Sequence, residues 1–290
     1  MTTNRSLPEL IPPVLAALFN RHGLVAAIAL AAVVAAGCAT TVGQDMNLLS
    51  TEEEVEIGGQ LAAEIETQEK VHEDPELQAY VRMVGDRLAR VAPRQDVPFQ
   101  FTVIDDPDTI NAFALPGGHV YIYTGLLKIC EHEAELAGVM AHEIAHVAAY
   151  HHGESLTRQM GYQTLASLVL GEQPDRIAAL AANLVGTGVS ASYSREQERQ
   201  ADGLGMEMLW RAGYRPEAMV GFMHKLMMLD QEGGGAYLPI FSSHPPTQER
   251  FQQLQAMLDR YPADQRRSLP LYTERYEREA LARIPSATGE

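Results

Sequence analysis

The segment His142-Glu143-Ile144-Ala145-His146 constrains the fold of this chain more than any other. In an α-helix four residues advance by about 400°, so the second histidine lies within roughly 40° of the first and one turn along. Both imidazoles therefore face one point. The opposite side of the helix is apolar and carries Leu136, Met140, Ile144 and Val147. The sequence predicts a helix with an apolar back, which packs on a core, and a polar front that can bind a metal ion.

A second segment supplies the carboxylate that such a site needs. Catalytic zinc takes three protein ligands and an open fourth position for water, so the third ligand must come from elsewhere in the chain. The sequence SREQERQAD at 194–202 offers Glu198 and Asp202 at i and i+4, on one helical face. Glu196 lies about 200° from Glu198, so only one of the two can face the metal. The alternative interpretation is two histidines that merely hydrogen-bond within a helical face.

With both segments in place, the sequence resembles metallopeptidase family 48, the HtpX-like and BepA-like gluzincin zinc peptidases, and within it the bacterial lipoproteins. The match is carried by HEIAH at 142–146 and SREQERQAD at 194–202. The segment NAFALPGG at 111–118 and the dipeptide His244-Pro245 also match, so the resemblance covers most of residues 50–260. It implies an α+β, helix-dominated zincin domain with a small sheet and an HExxH active-site helix.

The resemblance also implies roles for single residues. One Zn²⁺ per chain would be held by His142, His146 and Glu198. Asp202 would accept the free ring N–H of His142, because a ligating histidine needs a partner that fixes its tautomer. Glu143 lies about 60° from His146 around the helix, too far to be a third ligand but close enough to reach a metal-bound water. It would be the catalytic general base.

His244 is a candidate second catalytic residue, because it follows three glycines at 233–235 and precedes two prolines. One interpretation is a gate near the metal, either an oxyanion donor or a reversible extra ligand that holds the resting enzyme shut. The other is a turn histidine without metal contact. Tyr193 and Arg250 are further candidate oxyanion donors. The NAFALPGG segment is expected to give an edge on which an extended substrate pairs by its main chain, through Ala112, Phe113, Ala114, Gly117 and Gly118.

Six further histidines are expected at the surface or at helix caps, namely His72, His119, His132, His151, His152 and His224. A chelating pair at His151 and His152 is an alternative. It is disfavoured because neighbours in a helix point about 100° apart.

The order of elements is predicted from caps and periodicity. Ser50 to Glu53 reads as a capping box that opens one helix, and Asp74 followed by Pro75 opens the next. Alternating apolar residues at 99–103 and 120–123 predict a small sheet. From about Glu131 onward the chain is almost wholly helical, with breaks expected near Gly153, Gly171 to Pro174, Gly186 to Gly188, Gly213, and Gly233 to Gly235. The peptidase domain is expected over 50–261, and a loosely packed tail over 262–290.

The N-terminus resembles an export signal for a lipoprotein. Residues 24–36 are an unbroken apolar run that is too short to span a bilayer, and Gly37 and Cys38 follow it. The alternative is a buried apolar helix with an incidental cysteine. We expect a signal peptide over 1–37, lipidation of Cys38, and a tether over 38–49. Ala39 favours the outer membrane by resemblance to sorted lipoproteins. Cys130 would then have no disulfide partner and is expected to be a buried apolar residue.

Charge and motif together indicate the function. With 22 basic and 38 acidic residues the formal charge is −16, which argues against nucleic acid as a partner. We expect a zinc metalloendopeptidase anchored in the cell envelope and facing the periplasm, whose substrates are misfolded or stalled periplasmic and outer-membrane proteins. The alternative is an outer-membrane assembly chaperone or scaffold with a latched or structural zinc site. Glu143 favours the enzyme, since a structural site would use four protein ligands and need no general base.

The lipid anchor is testable by substitution. In Cys38→Ala, both globomycin-sensitive processing and partitioning into the detergent phase should disappear, because the thiol that would receive the lipid is removed. Cys130→Ala is the matched control and should keep both. A Cys38→Ala protein that is exported and still membrane-bound would show that the lipoprotein interpretation is wrong.

Overall fold

Two capped helices begin the part of the chain that the computed structural model describes, residues 47–187, 193–232 and 239–284. The first, α1 (Thr51–Gln68), has the predicted capping box, in which Ser50 and Glu53 bond reciprocally to each other's backbone N–H. In α2 (Pro75–Ala89) the Asp74 side chain accepts hydrogen bonds from two backbone N–H groups of the first turn. The predicted signal peptide and Cys38 lie outside the described residues.

A three-stranded sheet follows, in the order β1-β3-β2. β1 (Gln100–Ile104) is parallel to β3 (His119–Tyr123), with Gln100 opposite His119. β2 (Ala112–Ala114) is antiparallel to β3 and forms an edge, as predicted for the NAFALPGG segment. A 3₁₀ turn at Pro116–Gly118 joins β2 to β3.

The remaining described helices pack against the sheet or against other helices. They are α3 (Thr124–Ile129), α4 (Glu133–Ala148), α5 (His151–Met160), α6 (Tyr162–Val169), α7 (Pro174–Thr187), α8 (Arg195–Arg211), α9 (Glu217–Glu232), α10 (Pro239–Ser243), α11 (Gln248–Met257), α12 (Ala263–Ser268) and α13 (Thr273–Glu279). The α+β, helix-dominated prediction is confirmed. No helix among the described residues has the length and apolarity that a membrane span requires.

The central helix α4 carries the HEIAH segment and is buried on every side. The predicted apolar back is present, with Leu136, Met140 and Ile144 fully buried in the main core. The polar front is covered as well, because α8 packs along it. Gly205 in α8 permits this close approach, since a Cβ there would lie 3.3 Å from the backbone nitrogen of His142. The polar groups of α4 must therefore find partners inside the protein.

The predicted helix breaks are only partly correct. Gly171 and Gly213 have positive φ values and end helices, as expected. Gly153 was expected to break the helix but lies inside α5, and the break falls instead at Tyr150, which has φ 61°. The glycine serves close packing, because a Cβ at position 153 would lie 2.2 Å from Asn47 Oδ1. Gly188 and Gly233 to Gly235 lie outside the described residues.

The expectation of a loosely packed C-terminal tail is wrong for the residues up to 284. The Tyr276 side chain in α13 is fully buried, and its hydroxyl donates to the carbonyl of Leu127 at 2.6 Å. Arg275 pairs with the buried carboxylate of Glu133 at the start of α4, which also accepts hydrogen bonds from Tyr80 and Tyr214. These are single tertiary contacts, so the segment carries no periodic apolar pattern by which sequence could reveal them.

The burial of Tyr276 predicts a large stability effect. Tyr276→Ala should lower the free energy of unfolding by about 3 to 5 kcal/mol, because truncation of a buried aromatic side chain leaves a cavity. Urea unfolding followed by circular dichroism measures it. Glu274→Ala, at an exposed position of the same helix, should change stability by less than about 0.5 kcal/mol. Equal stability of the Tyr276→Ala protein and the unmodified protein would contradict the packing described here.

Candidate metal centre

Two histidines of α4 and one glutamate of α8 bring their ligand atoms together in the interior. His142 Nε2 lies 3.1 Å from His146 Nε2. The Glu198 carboxylate lies 3.5 Å from the first of these nitrogens and 3.4 Å from the second. Donors about 2.0 to 2.2 Å from a tetrahedral zinc ion are roughly 3.3 to 3.6 Å apart. The spacing and the chemistry of these donors therefore fit a zinc ion.

The electrostatic balance of the site also fits a divalent cation. Three buried carboxylates surround the histidines, those of Glu143, Glu198 and Asp202, and Arg250 is the buried cation among them. With all of them ionised this set has a formal charge of −2. An uncompensated charge is costly in a protein interior, and a divalent cation at the donor cluster would neutralise it.

A fourth donor comes from His244, directly after α10. Its Nδ1 lies 3.1 Å from His142 Nε2 and 3.0 Å from a Glu198 oxygen. These four residues form the group of side chains that could hold a metal ion. The imidazole is buried, and the backbone N–H of His244 donates to the carbonyl of Ile240 at 2.9 Å. The structure thus brings His244 to the metal position, where the sequence left a contact-free turn histidine open.

Glu143 lies beside the donor cluster. One of its carboxylate oxygens is 3.4 Å from His244 Nε2, and its side chain is buried. Burial raises the pKa of Glu143, although His244 and His142 act in the opposite direction. A carboxylate with a raised pKa next to the metal position is suited to accept a proton from a water molecule bound there.

A buried arginine fixes the carboxylates of α8. Asp202 Oδ1 lies 3.0 Å from His142 Nδ1, as the resemblance implied. The Arg250 guanidinium holds Asp202 by two hydrogen bonds of 2.7 and 2.9 Å and reaches Glu198 Oε2 at 2.7 Å. Burial raises the pKa of Asp202, but Arg250 and His142 together outweigh this effect and the pKa is lowered. The N–H groups of Arg250, a candidate oxyanion donor, instead bind carboxylates and the carbonyl of Pro245.

The expectation that His151 and His152 are surface or capping residues is wrong. They are 1% and 7% exposed, because the left-handed Tyr150 ends the helical path and α5 begins immediately after it. His151 Nδ1 lies 2.9 Å from His146 Nδ1. His152 Nε2 lies 2.9 Å from both the Ala114 carbonyl and the Tyr193 hydroxyl. Sequence reasoning extrapolated a straight helix and so missed both residues.

The other histidines and the predicted substrate edge have mixed outcomes. His132 caps α4 as expected, and His224 is exposed, whereas His72 is buried. In the edge segment, the carbonyl of Ala114 contacts His152, which lies beside the donor cluster. Gly117 and Gly118 are buried against Val55 and Val97. The expectation that these two glycines line a substrate edge is therefore wrong.

An apolar cavity adjoins the donor cluster. Its polar wall includes His142, Glu143 and His244. The other wall is formed by side chains of α9 and α10 together with α4, namely Val139, Met219, Phe222, Met223, Leu226 and Ile240. This cavity could hold an apolar group next to the donor cluster.

A helix that presents two histidines and an adjacent glutamate, completed by a glutamate from a second helix, defines a metallopeptidase centre of the gluzincin class. The profile of Peptidase family M48 matches residues 75–258, and the chain belongs to this family.

Relatives from bacteria and yeast are similar to it. The chain is 32% identical over 212 residues to the beta-barrel assembly-enhancing protease of Escherichia coli (strain K12), an alignment that covers 70% of this chain and 43% of that protein. It is 31% identical to the mitochondrial metalloendopeptidase OMA1 of Schizosaccharomyces pombe, over 62% of this chain and 52% of that protein. It is 29% identical to the metalloprotease YcaL of Escherichia coli (strain K12), an alignment that covers 80% of this chain and 95% of that protein. The match thus spans less than half of the first relative.

The assignment of the third ligand can be tested with a matched pair of variants. Glu198→Gln should lose zinc, since it removes the only carboxylate charge among the proposed ligands. Glu196→Gln should keep it, because Glu196 is exposed and pairs with Arg199. Metal analysis of the two purified proteins by mass spectrometry distinguishes them. Zinc loss in Glu196→Gln with retention in Glu198→Gln would contradict the geometry.

Proposed function

We propose that this protein is a zinc-dependent endopeptidase of the cell envelope that degrades misfolded or stalled periplasmic and outer-membrane proteins. The observation that carries the proposal is the separation of roles in the buried cluster. His142, His146 and Glu198 converge as ligands, while Glu143 stands beside them and faces His244. Membership in a peptidase family supports the same reaction.

The residues of the chain would divide the reaction as follows. Zinc, when bound, supplies an electrophile that polarises the scissile carbonyl and lowers the pKa of water. Glu143 takes a proton from the attacking water and hands it to the departing amine. Asp202 lies 3.0 Å from His142 and Arg250 lies 2.7 Å from Glu198, and these buried ionic contacts would hold the two ligands in place throughout. The apolar cavity next to Glu143 would hold a substrate side chain near the scissile bond.

His244 would regulate access to the centre. Its Nδ1 takes the place of a fourth ligand, within 3.1 Å of His142 Nε2, where the attacking water must bind. We therefore infer a latch that must move aside before a peptide can react. A four-donor arrangement also agrees with the structural-site alternative. That alternative is not favoured, since it gives the buried Glu143 no role.

The envelope location and the substrates extend this proposal. Relatives named beta-barrel assembly-enhancing proteases support a place in the cell envelope. The lipoprotein-like N-terminus supports anchoring through Cys38 at the outer membrane, facing the periplasm. The apolar cavity favours unfolded chains, which expose apolar side chains, and the acidic charge argues against nucleic acid.

The general base is tested by Glu143→Gln. Glutamine keeps the size of the side chain but cannot accept the proton, so cleavage of a chemically unfolded outer-membrane protein should fall by about 10² to 10⁴. Zinc content should remain at one equivalent. Glu196→Gln is the matched exposed control and should cleave at the unmodified rate. Full activity of Glu143→Gln would rule out the proposed mechanism, whatever its metal content.

The latch is examined in the same assay with His244→Ala. This variant should keep zinc, because three ligands remain, and should cleave the unfolded substrate faster than the unmodified protein. Retained zinc with a rate reduced to that of Glu143→Gln would instead make His244 a donor to the reacting oxygen.

A further inference from the structure

The second metal-site histidine has a partner that the family motif does not explain. His146 Nε2 faces His142 and Glu198, while His146 Nδ1 lies 2.9 Å from Nδ1 of His151. His151 Nε2 in turn lies 3.1 Å from the side-chain oxygen of Gln200 in α8. We propose that His151 is a positioning residue that fixes the tautomer and ring orientation of His146 for metal binding. This inference rests on the proposed zinc site.

The proton positions follow from the valence of each group. A neutral imidazole has one N–H donor and one lone-pair acceptor, and the carbonyl oxygen of an amide only accepts. Gln200 Oε1 therefore requires the hydrogen of His151 at Nε2. His151 Nδ1 is then an acceptor, which requires the hydrogen of His146 at Nδ1. The lone pair of His146 is left at Nε2, directed to the metal position.

The opposite arrangement would exclude the metal. If His151 carried its hydrogen at Nδ1 and donated to His146, the hydrogen of neutral His146 would be at Nε2. That atom would then have no lone pair for a cation. Metal binding thus requires that His146 donates to His151 and that His151 donates to Gln200.

Burial makes the contact between the two histidines effective. His146 and His151 are 0% and 1% exposed, so water does not compete for their shared hydrogen bond. The ring of Tyr193 packs on His146, with ring centroids 3.8 Å apart, and restricts the imidazole from another side. Gln200 is exposed, so its amide is the more weakly held end of the chain.

The arrangement parallels that of the first histidine. Asp202 Oδ1 lies 3.0 Å from His142 Nδ1, and His151 Nδ1 lies 2.9 Å from His146 Nδ1. Helix α8 thus provides the carboxylate ligand through Glu198 and supports the tautomers of both histidines through Gln200 and Asp202. Partners of this kind typically change metal affinity or activity by about 10- to 100-fold.

The test compares two substitutions at His151. Asparagine can place an acceptor oxygen near the position of Nδ1, whereas leucine fills similar space without any acceptor. His151→Leu should weaken zinc binding about 10- to 100-fold in competition with a chromophoric chelator, and His151→Asn should remain within a few-fold of the unmodified protein. His224→Leu, at an exposed histidine, is the control and should bind zinc normally. The melting temperature of each metal-free protein separates metal affinity from stability.

Three results would overturn the proposal. The first is an unchanged zinc affinity in His151→Leu. The second is an equal loss of zinc affinity in the leucine and asparagine variants, which would indicate that shape and not hydrogen bonding matters. Should His151→Leu fail to fold, ¹⁵N NMR of the zinc-bound unmodified protein decides, and a His146 hydrogen found elsewhere than on Nδ1 is the third. An unmodified protein that binds no zinc would contradict the proposed function itself, so the two failures are distinguishable.

Discussion

The packing of α8 along the buried helix α4 is the constraint on which the rest of the structure depends. Gly205 lets the two backbones approach closely, and the approach places Glu198 against the two histidines of α4. It also removes the polar face of α4 from water. Buried polar groups without partners cost free energy, so every side chain on that face must be matched from a neighbouring element.

Single residues from other elements are the partners of these polar groups. Asp202 and Arg250 support His142, and His151 and Gln200 support His146. At the other end of α4, the carboxylate of Glu133 is bonded by Tyr80, Tyr214 and Arg275. The helix that carries the metal-site histidines is therefore held by charge-assisted hydrogen bonds at its first turn and by the partners of both histidines in its second half. These contacts keep the ligand atoms where a small cation requires them.

The same packing creates a centre that is both charged and closed. The carboxylates of Glu143, Glu198 and Asp202 outnumber the one buried arginine beside them, and a divalent cation would restore the balance. His244 covers the position through a short helix whose Ile240 also lines the apolar cavity. Access to the metal and occupancy of the cavity thus involve the same element, α10.

The sequence by itself determined the features that depend on local spacing. The caps of α1 and α2 follow from local capping motifs, and the convergence of His142 with His146 follows from helical periodicity. The edge at β2 was expected from the resemblance of the NAFALPGG segment. Helical spacing also showed that Glu196 and Glu198 cannot both face the metal, and the family resemblance with the spacing to Asp202 favoured Glu198. Only the tertiary structure decided what depends on contacts between distant segments. Tyr150 adopts a left-handed conformation that turns His151 toward His146, Gly153 serves packing, and Tyr276 anchors a charged segment in the core. None of these has a periodic signal. His151 reaches His146, five residues earlier, only because the helix breaks at Tyr150. Gly153 and Tyr276 each meet a partner far away in sequence.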